Sequence, residues 1–422
     1  MIKQLTALLL LLGFQAQSAT LLETYQSALK HNPDYQISIT EENISKQQVG
    51  GTRSKLLPST NISAGVSNSR ESLNATSSSS HNYGITLSQP LFDLSKWYAL
   101  TQSQLEYRLS ILKQQDAQQT LRLNIIKDYL HAAQDKAQLA IEKQQLEQAE
   151  AFVQIARERY QAGEVTIVDV ETAQTSLSSS KVQYIQAQAQ LRISMSNLSA
   201  TVGQPINSVS ELSRNSLAPV GLPELDSWLS LAQDNSSSLL QARTSVKISE
   251  AVLTRTQSEY YPTISANAGY TRNGGNGNTE TNDLNAGLSL SMPLDLNGSI
   301  GYDKARDQFE LQKSRQQLQK AQLEITKQIQ GSYYLLQGQL QQLRSQQQTV
   351  RYSQSLLKHQ LSNYQAGRTT ATDLDDAHTK LFKNKQDLLK MLYDTWISLS
   401  TLQQQAGTLK LPQLTQLSKE LN

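Results

Sequence analysis

Apolar residues recur at intervals of seven along most of this chain. Ile125, Ala132, Leu139, Leu146, Val153 and Tyr160 form one seam, and Ile329, Leu336, Leu343, Val350, Leu357 and Tyr364 form another. Shorter seams follow each: Val170, Leu177, Tyr184, Leu191 and Leu198, then Leu374, Leu381, Leu388, Thr395 and Leu402. A sevenfold apolar period keeps one edge of a helix against a neighbour in a left-handed supercoil. Small residues on the companion seam, Ala173, Ala187 and Ala377, let the helices approach closely. Each seam reappears in register 204 residues later, as Tyr160-Gln161-Ala162-Gly163 does at Tyr364-Gln365-Ala366-Gly367. The same offset carries Pro58 onto Pro262, Gly65 onto Gly269, Asp169 onto Asp373 and Gly203 onto Gly407. The chain is therefore a tandem duplication whose unit is a long coiled-coil hairpin.

Each half reads helix, strand, loop, strand, long helix, sharp turn, return helix. The first repeat covers 20–203, with a helix from about Leu21 to Leu57, strands at about 58–70 and 82–91, a long helix over 95–161 and a return helix over 168–203. Asn32-Pro33 predicts a helix restart inside the first helix, Asn as N-cap and Pro at the first helical position. The second repeat covers 224–407, with strands at about 262–272 and 283–293 and helices over 299–365 and 370–406. A Pro-, Ser- and Asn-rich linker (204–223) joins the halves, and 408–422 reads as a short tail. Each long helix would extend roughly 100 Å at 1.5 Å per residue.

The strand segments change period from seven to two. Tyr83, Ile85 and Leu87 alternate with Gly84, Thr86 and Ser88, and Leu284, Ala286, Leu288 and Leu290 alternate with Asn285, Gly287 and Ser289. The second face reads as small, polar and uncharged, and Ser- and Asn/Gly-rich stretches at 71–80 and 273–282 read as hairpin tips. Apolar residues toward lipid and small polar residues toward water is the pattern of an outer-membrane barrel. Tyr83 and Tyr270 at one end, and Phe92, Tyr260 and Tyr261 at the other, suit two interfacial girdles. A half-buried sheet packed on helices is the alternative. Four strands cannot close a barrel, because roughly eight is the minimum. Closure would have to come from several chains.

Composition narrows the classes. Hydrophobic content of 38% is low for 422 residues, as expected when apolar residues form narrow seams. The formal net charge is +2, without a basic cluster interleaved with aromatics, so nucleic acid is not an expected partner. Lys3, the apolar run Leu5–Phe14, and small residues at Ala16, Ser18 and Ala19 have the layout of a cleaved secretory signal over 1–19, cut after Ser18 or Ala19. The chain has no cysteine, and its five histidines (His31, His81, His131, His359, His378) lack a zinc-binding spacing. His359 and His378 read as surface residues. With neither a catalytic constellation nor a phosphate-binding glycine loop, the sequence predicts no enzyme and no cofactor.

The duplication, the two strand pairs, and Ser88-Gln89-Pro90-Leu91-Phe92-Asp93-Leu94-Ser95-Lys96-Trp97 between strand and helix together resemble the TolC family of outer-membrane efflux and secretion channels. The resemblance covers essentially the whole chain after residue 19. It implies a mostly α, α+β fold: a homotrimer in which each protomer gives four strands to one 12-stranded transmembrane β-barrel, continued by coiled-coil hairpins as a periplasmic α-barrel. It further implies an exit duct for tripartite efflux or type I secretion. A periplasmic adaptor protein would dock at the hairpin tips, with an inner-membrane ABC or proton-driven transporter behind it. A coiled-coil adaptor or scaffold without a pore is the alternative, and two hairpins each led by amphipathic strands argue against it.

The same resemblance points to the hairpin tips as the functional region. Asp373 and Asp376, one turn apart, would line the tunnel entrance as a ring of six carboxylates in a trimer, although acids at a helix start also answer the helix dipole. Asp375 reads as a solvated neighbour. Asp169 and Tyr364 match positions whose polar contacts close the entrance. Arg368 stands one residue before the arginine of the family pattern, with Thr369 in its place, and Val168 replaces a hydroxyl. Gly163, Glu164 and Gly367 mark the tips where an adaptor would dock, and Tyr160 and Tyr364 also read simply as the last seam residue of each coil.

Overall fold

The computed structural model describes residues 20–70, 77–212, 222–276 and 278–421. The predicted signal segment, and the linker residues 213–221, lie outside them. Two compact units divide the described residues: one within Met1–Gln36, Ala117–Ser236 and Ile325–Asn422, the other within Ile37–Asp116 and Ser237–Glu324. The division falls inside three helices, α2 (Pro33–Ser54), α3 (Leu94–Gln161) and α7 (Ser299–Gln365).

In the first unit, α1 (Leu21–His31) opens on a capping box in which Thr20 and Glu23 each accept from the other's backbone N–H. The expected restart is present: the Asn32 Oδ1 accepts from Tyr35 N at 2.9 Å, and its Nδ2 donates to the Thr201 carbonyl at 2.8 Å. The return helices are α4 (Ile167–Val202) and α8 (Ala371–Gln405), and α5 (Leu225–Asn235) repeats α1. Except at Tyr160, the seam positions are buried or half-buried. The main core joins Leu21, Tyr25 and Ala28 of α1 to Ile125, Ile126, Tyr129 and Leu130 of α3, with Leu198, Tyr393 and Trp396.

Two segments expected as connectors belong to this core. The linker is packed as far as residue 212, with Val209 fully buried; Ser210 N donates to the Tyr129 hydroxyl, and Leu212 N to that of Tyr393. Burial pushes the Tyr393 phenol up to about 12. The tail contains a helix, α9 (Leu411–Glu420), whose Leu414 and Leu417 enter the core, and Arg122 crosses to the Leu409 carbonyl and the Tyr25 hydroxyl. Neither segment has a heptad, so the periodicity that reveals the coils is silent about them.

In the second unit four strands form one antiparallel sheet in the order β1 (Ser59–Arg70), β2 (Ser77–Phe92), β3 (Thr263–Gly275), β4 (Asn278–Ser291). The central β2–β3 pairing, with Ile85 opposite Tyr270, joins the two repeats. The register slips between Pro90 and Phe92, where a proline without an N–H cannot serve a central ladder. β2, β3 and β4 run further into the hairpin tips than the sequence suggests. Ser and Asn there read as turn formers, yet a ladder bonds through the backbone whatever the side chain.

The apolar face of the sheet is bare: Ile62 is 79% exposed, Leu284 84% and Leu288 73%. Helices therefore do not cover it, which removes the half-buried alternative. The other face is bound together by small polar groups, Ser88 Oγ to Asn267 Oδ1 at 2.8 Å and Asn267 Nδ2 to Ser289 Oγ at 2.9 Å. One expectation needs correcting. Asp283 lies opposite Thr271 on this face, so the face carries a charge at that position. Beside the sheet, Asp93 Oδ1 accepts from Lys96 N to start α3, and Asp295 accepts from Ile300 and Gly301 N–H to start α7.

Candidate functional site at the hairpin tips

Both coiled-coil hairpins turn by the same backbone device. Gly163 N donates to Tyr160 O and Glu164 N to Arg159 O; 204 residues on, Gly367 N donates to Tyr364 O and Arg368 N to Asn363 O. This is the Schellman closure, and it requires a left-handed residue, supplied at φ 74° by Gly163 and φ 69° by Gly367. Both return helices then start with a capping box. The Asp169 Oδ2 accepts from the Thr166 N–H at 2.9 Å and hydroxyl at 2.8 Å. The Asp373 Oδ2 accepts from the Thr370 N–H at 3.2 Å and hydroxyl at 2.6 Å, and from the Thr369 hydroxyl at 3.0 Å.

These bonds set the charge state of both carboxyls. At Asp169 partial burial raises the carboxyl, but bonds from Thr166, the Ala371 N–H and the nearby Arg159 charge outweigh it and hold it below the usual range. The Thr370 and Thr369 bonds hold Asp373 low too. A depressed carboxylate contributes stability above its unfolded pKa, about 3.9, which is lost as pH falls through the folded value. Hydrogen exchange in the first turns of α4 and α8, corrected for intrinsic rate, should thus be flat at neutral pH and accelerate only below about pH 4.

Between the tips, one residue gathers what the sequence scattered. The Arg159 Nε donates to Glu164 Oε2 at 2.9 Å, its Nη1 to the Tyr364 carbonyl at 2.5 Å, and its guanidinium lies 4.8 Å from the Tyr364 ring centroid. Tyr364 is buried against Phe152, edge to face at 5.8 Å, and its hydroxyl finds no hydrogen bond of ordinary geometry. Burial raises the phenol, with Arg159 opposing. Phe152, Val153, Ala156, Ala173, Ala371 and Leu374 complete the cluster.

The structure thus brings Asp169, Tyr364 and Glu164 together around Arg159, a residue with no motif to announce it. Arg368 is exposed and forms no ion pair among the described residues, so it does not join them. Asp373 serves its own helix start, and Asp376 is exposed one turn on. Asp375 is half-buried rather than solvated. His378 is half-buried rather than a surface residue: its ring lies 6.5 Å from Phe152, and burial lowers its pKa against the Asp375 charge. The repeat also breaks at its tyrosines, Tyr160 being exposed and Tyr364 buried.

A model of the family described as outer membrane efflux protein matches residues 24–204 and again 228–408, two stretches offset by 204. Outer membrane protein TolC of Escherichia coli is 25% identical over 428 residues, covering 97% of this chain and 87% of that protein. Alkaline protease secretion protein AprF of Pseudomonas aeruginosa is 24% identical, covering 96% and 87%. Among solved structures, the CusC transmembrane channel superposes with a TM-score of 0.82 at 18% identity, covering 92% of each chain.

Proposed function

The chain belongs to the outer membrane efflux protein family, and from that premise we propose that three copies close one 12-stranded barrel, four strands each, which the helices continue as a periplasmic duct. The observation that carries the proposal is the sheet itself. Among the described residues its apolar face is uncovered, and β1 and β4 each leave one edge unpaired. In lipid every unpaired backbone group costs several kcal/mol, so such a sheet must close on other copies. The number three follows from the family resemblance.

The duct is passive: an inner-membrane ABC or proton-driven transporter supplies the energy, and a periplasmic adaptor couples the two. AprF is named for protease secretion, which favours secretion alongside efflux as the use of such a duct. Adaptor docking falls to the tips at Gly163, Glu164 and Gly367. Beside them Thr172, Ser176 and Ser180 of α4, with Asp375 and Thr379 of α8, line a groove of about 440 Å³ that offers hydroxyls to a partner helix. At the entrance, Asp373 and Asp376 of three copies supply a carboxylate ring, while Asp169 and Tyr364 hold the tips closed. Arg159 takes the role expected of Arg368.

Purified protein in a planar bilayer should give small cation-selective steps, blocked by a multivalent cation added on the helical side. Asp373→Ala/Asp376→Ala should relieve the block. Steps whose block is unchanged would place the constriction elsewhere. A well-folded membrane-inserted sample that never conducts, even after Arg159→Ala, would reopen the adaptor reading.

A further inference from the structure

We infer that Asp283 sets a second charge preference for cations inside the strand-lined part of the pore, independent of the tips. The inference rests on the closed-barrel reading just given. Pairing partners in an antiparallel ladder share a face, so the register alone sorts every strand residue. Asp283 stands opposite Thr271, with Thr281 and Asn285 flanking it two positions away on its strand. The polar face is otherwise Ser, Thr, Asn and Gly, with Pro90 at one end, among the described residues. The two other charged side chains described on β3 and β4, Arg272 and Glu280, lie on the apolar face, where they pair with each other. Asp283 is exposed, with no cation at ion-pair distance among the described residues.

With the polar face inward, Asp283 therefore supplies the only formal charge that the described strands present to the lumen. Cyclic symmetry repeats it at one level, and a ring of like charge between weakly polarisable walls enriches counter-ions and excludes co-ions. Its reach is the Debye length, about 10 Å at 0.1 M salt and about 3 Å at 1 M. The preference should accordingly be strong in dilute salt and fade in concentrated salt. Small cations are the favoured class, and anionic solutes meet a barrier here whatever the state of the tips.

The entrance carboxylates lie in series and would mask the effect, so the test starts from Asp373→Asn/Asp376→Asn. Reversal potentials in a potassium chloride gradient should still show residual cation preference in that variant. Adding Asp283→Asn should move the reversal potential toward zero, more at 0.1 M than at 1 M salt, and Asp283→Lys should carry it to the anion side. Channels whose reversal potential ignores residue 283, or that lose all preference once the entrance acids are gone, would overturn the inference while leaving the barrel intact. A starting variant that forms no channel at all would instead overturn the barrel reading, and the inference with it.

Discussion

Gly407→Ala should destabilise the protein by about 3 kcal/mol or more, among the larger effects open to a one-carbon change. Gly407 ends α8 at φ 69°, a conformation that costs an L-residue roughly 1–2 kcal/mol. The larger part is steric. A Cβ there would sit 2.1 Å from the Asn235 carbonyl oxygen, and backbone cannot swing aside as a side-chain tip can. Gly203, its counterpart, has φ 82° and would place a Cβ 2.4 Å from the His31 carbonyl. Gly163 is the internal control: its φ is 74°, but nothing lies within 4 Å of its Cβ position. Gly163→Ala should cost only the backbone term, about 1–2 kcal/mol. Denaturation of the detergent-solubilised variants, followed by helical circular dichroism, separates the two. Equal losses at 163 and 407 would mean that the joint relaxes and the close approach carries no weight.

Arg159→Ala should loosen the tips, raising open-channel conductance several-fold, whereas Arg368→Ala should leave it nearly unchanged. Arg159 is mostly buried and holds an acid of its own hairpin together with the carbonyl and ring of Tyr364 from the other. A hydrogen bond from a charged donor is worth about 1.5–3 kcal/mol, and truncation also strands the carbonyl. Arg159→Lys should rescue poorly, because one ammonium cannot donate along the guanidinium's fork to Glu164 and the Tyr364 carbonyl while also lying over the tyrosine ring. Faster hydrogen exchange at the tips without a change in conductance would reduce Arg159 to a packing role.

How much of this was legible in the sequence depends on the kind of signal. The seams and the alternating strands are periodic, so the coils and the four-stranded sheet could be read before any coordinates. Asn32 carried its cap in its neighbour Pro33. Arg159 was invisible because Tyr364, which takes both its hydrogen bond and its ring contact, lies on another hairpin some 200 residues away, and no spacing encodes that. Arg368 was favoured because it stands one residue from the arginine position of the family pattern, yet it is exposed after the turn. Asp283 was the first residue of the expected strand, but the alternation was counted only from Leu284 on, so its place on the polar face passed unnoticed. His378 shows the converse, a polar letter on a face that the second coil buries.

The docking of α9 has a consequence for how the molecule is made. Leu414 and Leu417 complete a core whose opposite wall is α1, the first helix described. Leu21 and Tyr25 of α1 therefore share one core with residues some four hundred positions further along the sequence. A chain clipped ahead of Leu411 would leave open the part of that core which Leu414 and Leu417 fill. α9 thus acts as a latch on a core that α1, α3 and α4 only partly enclose.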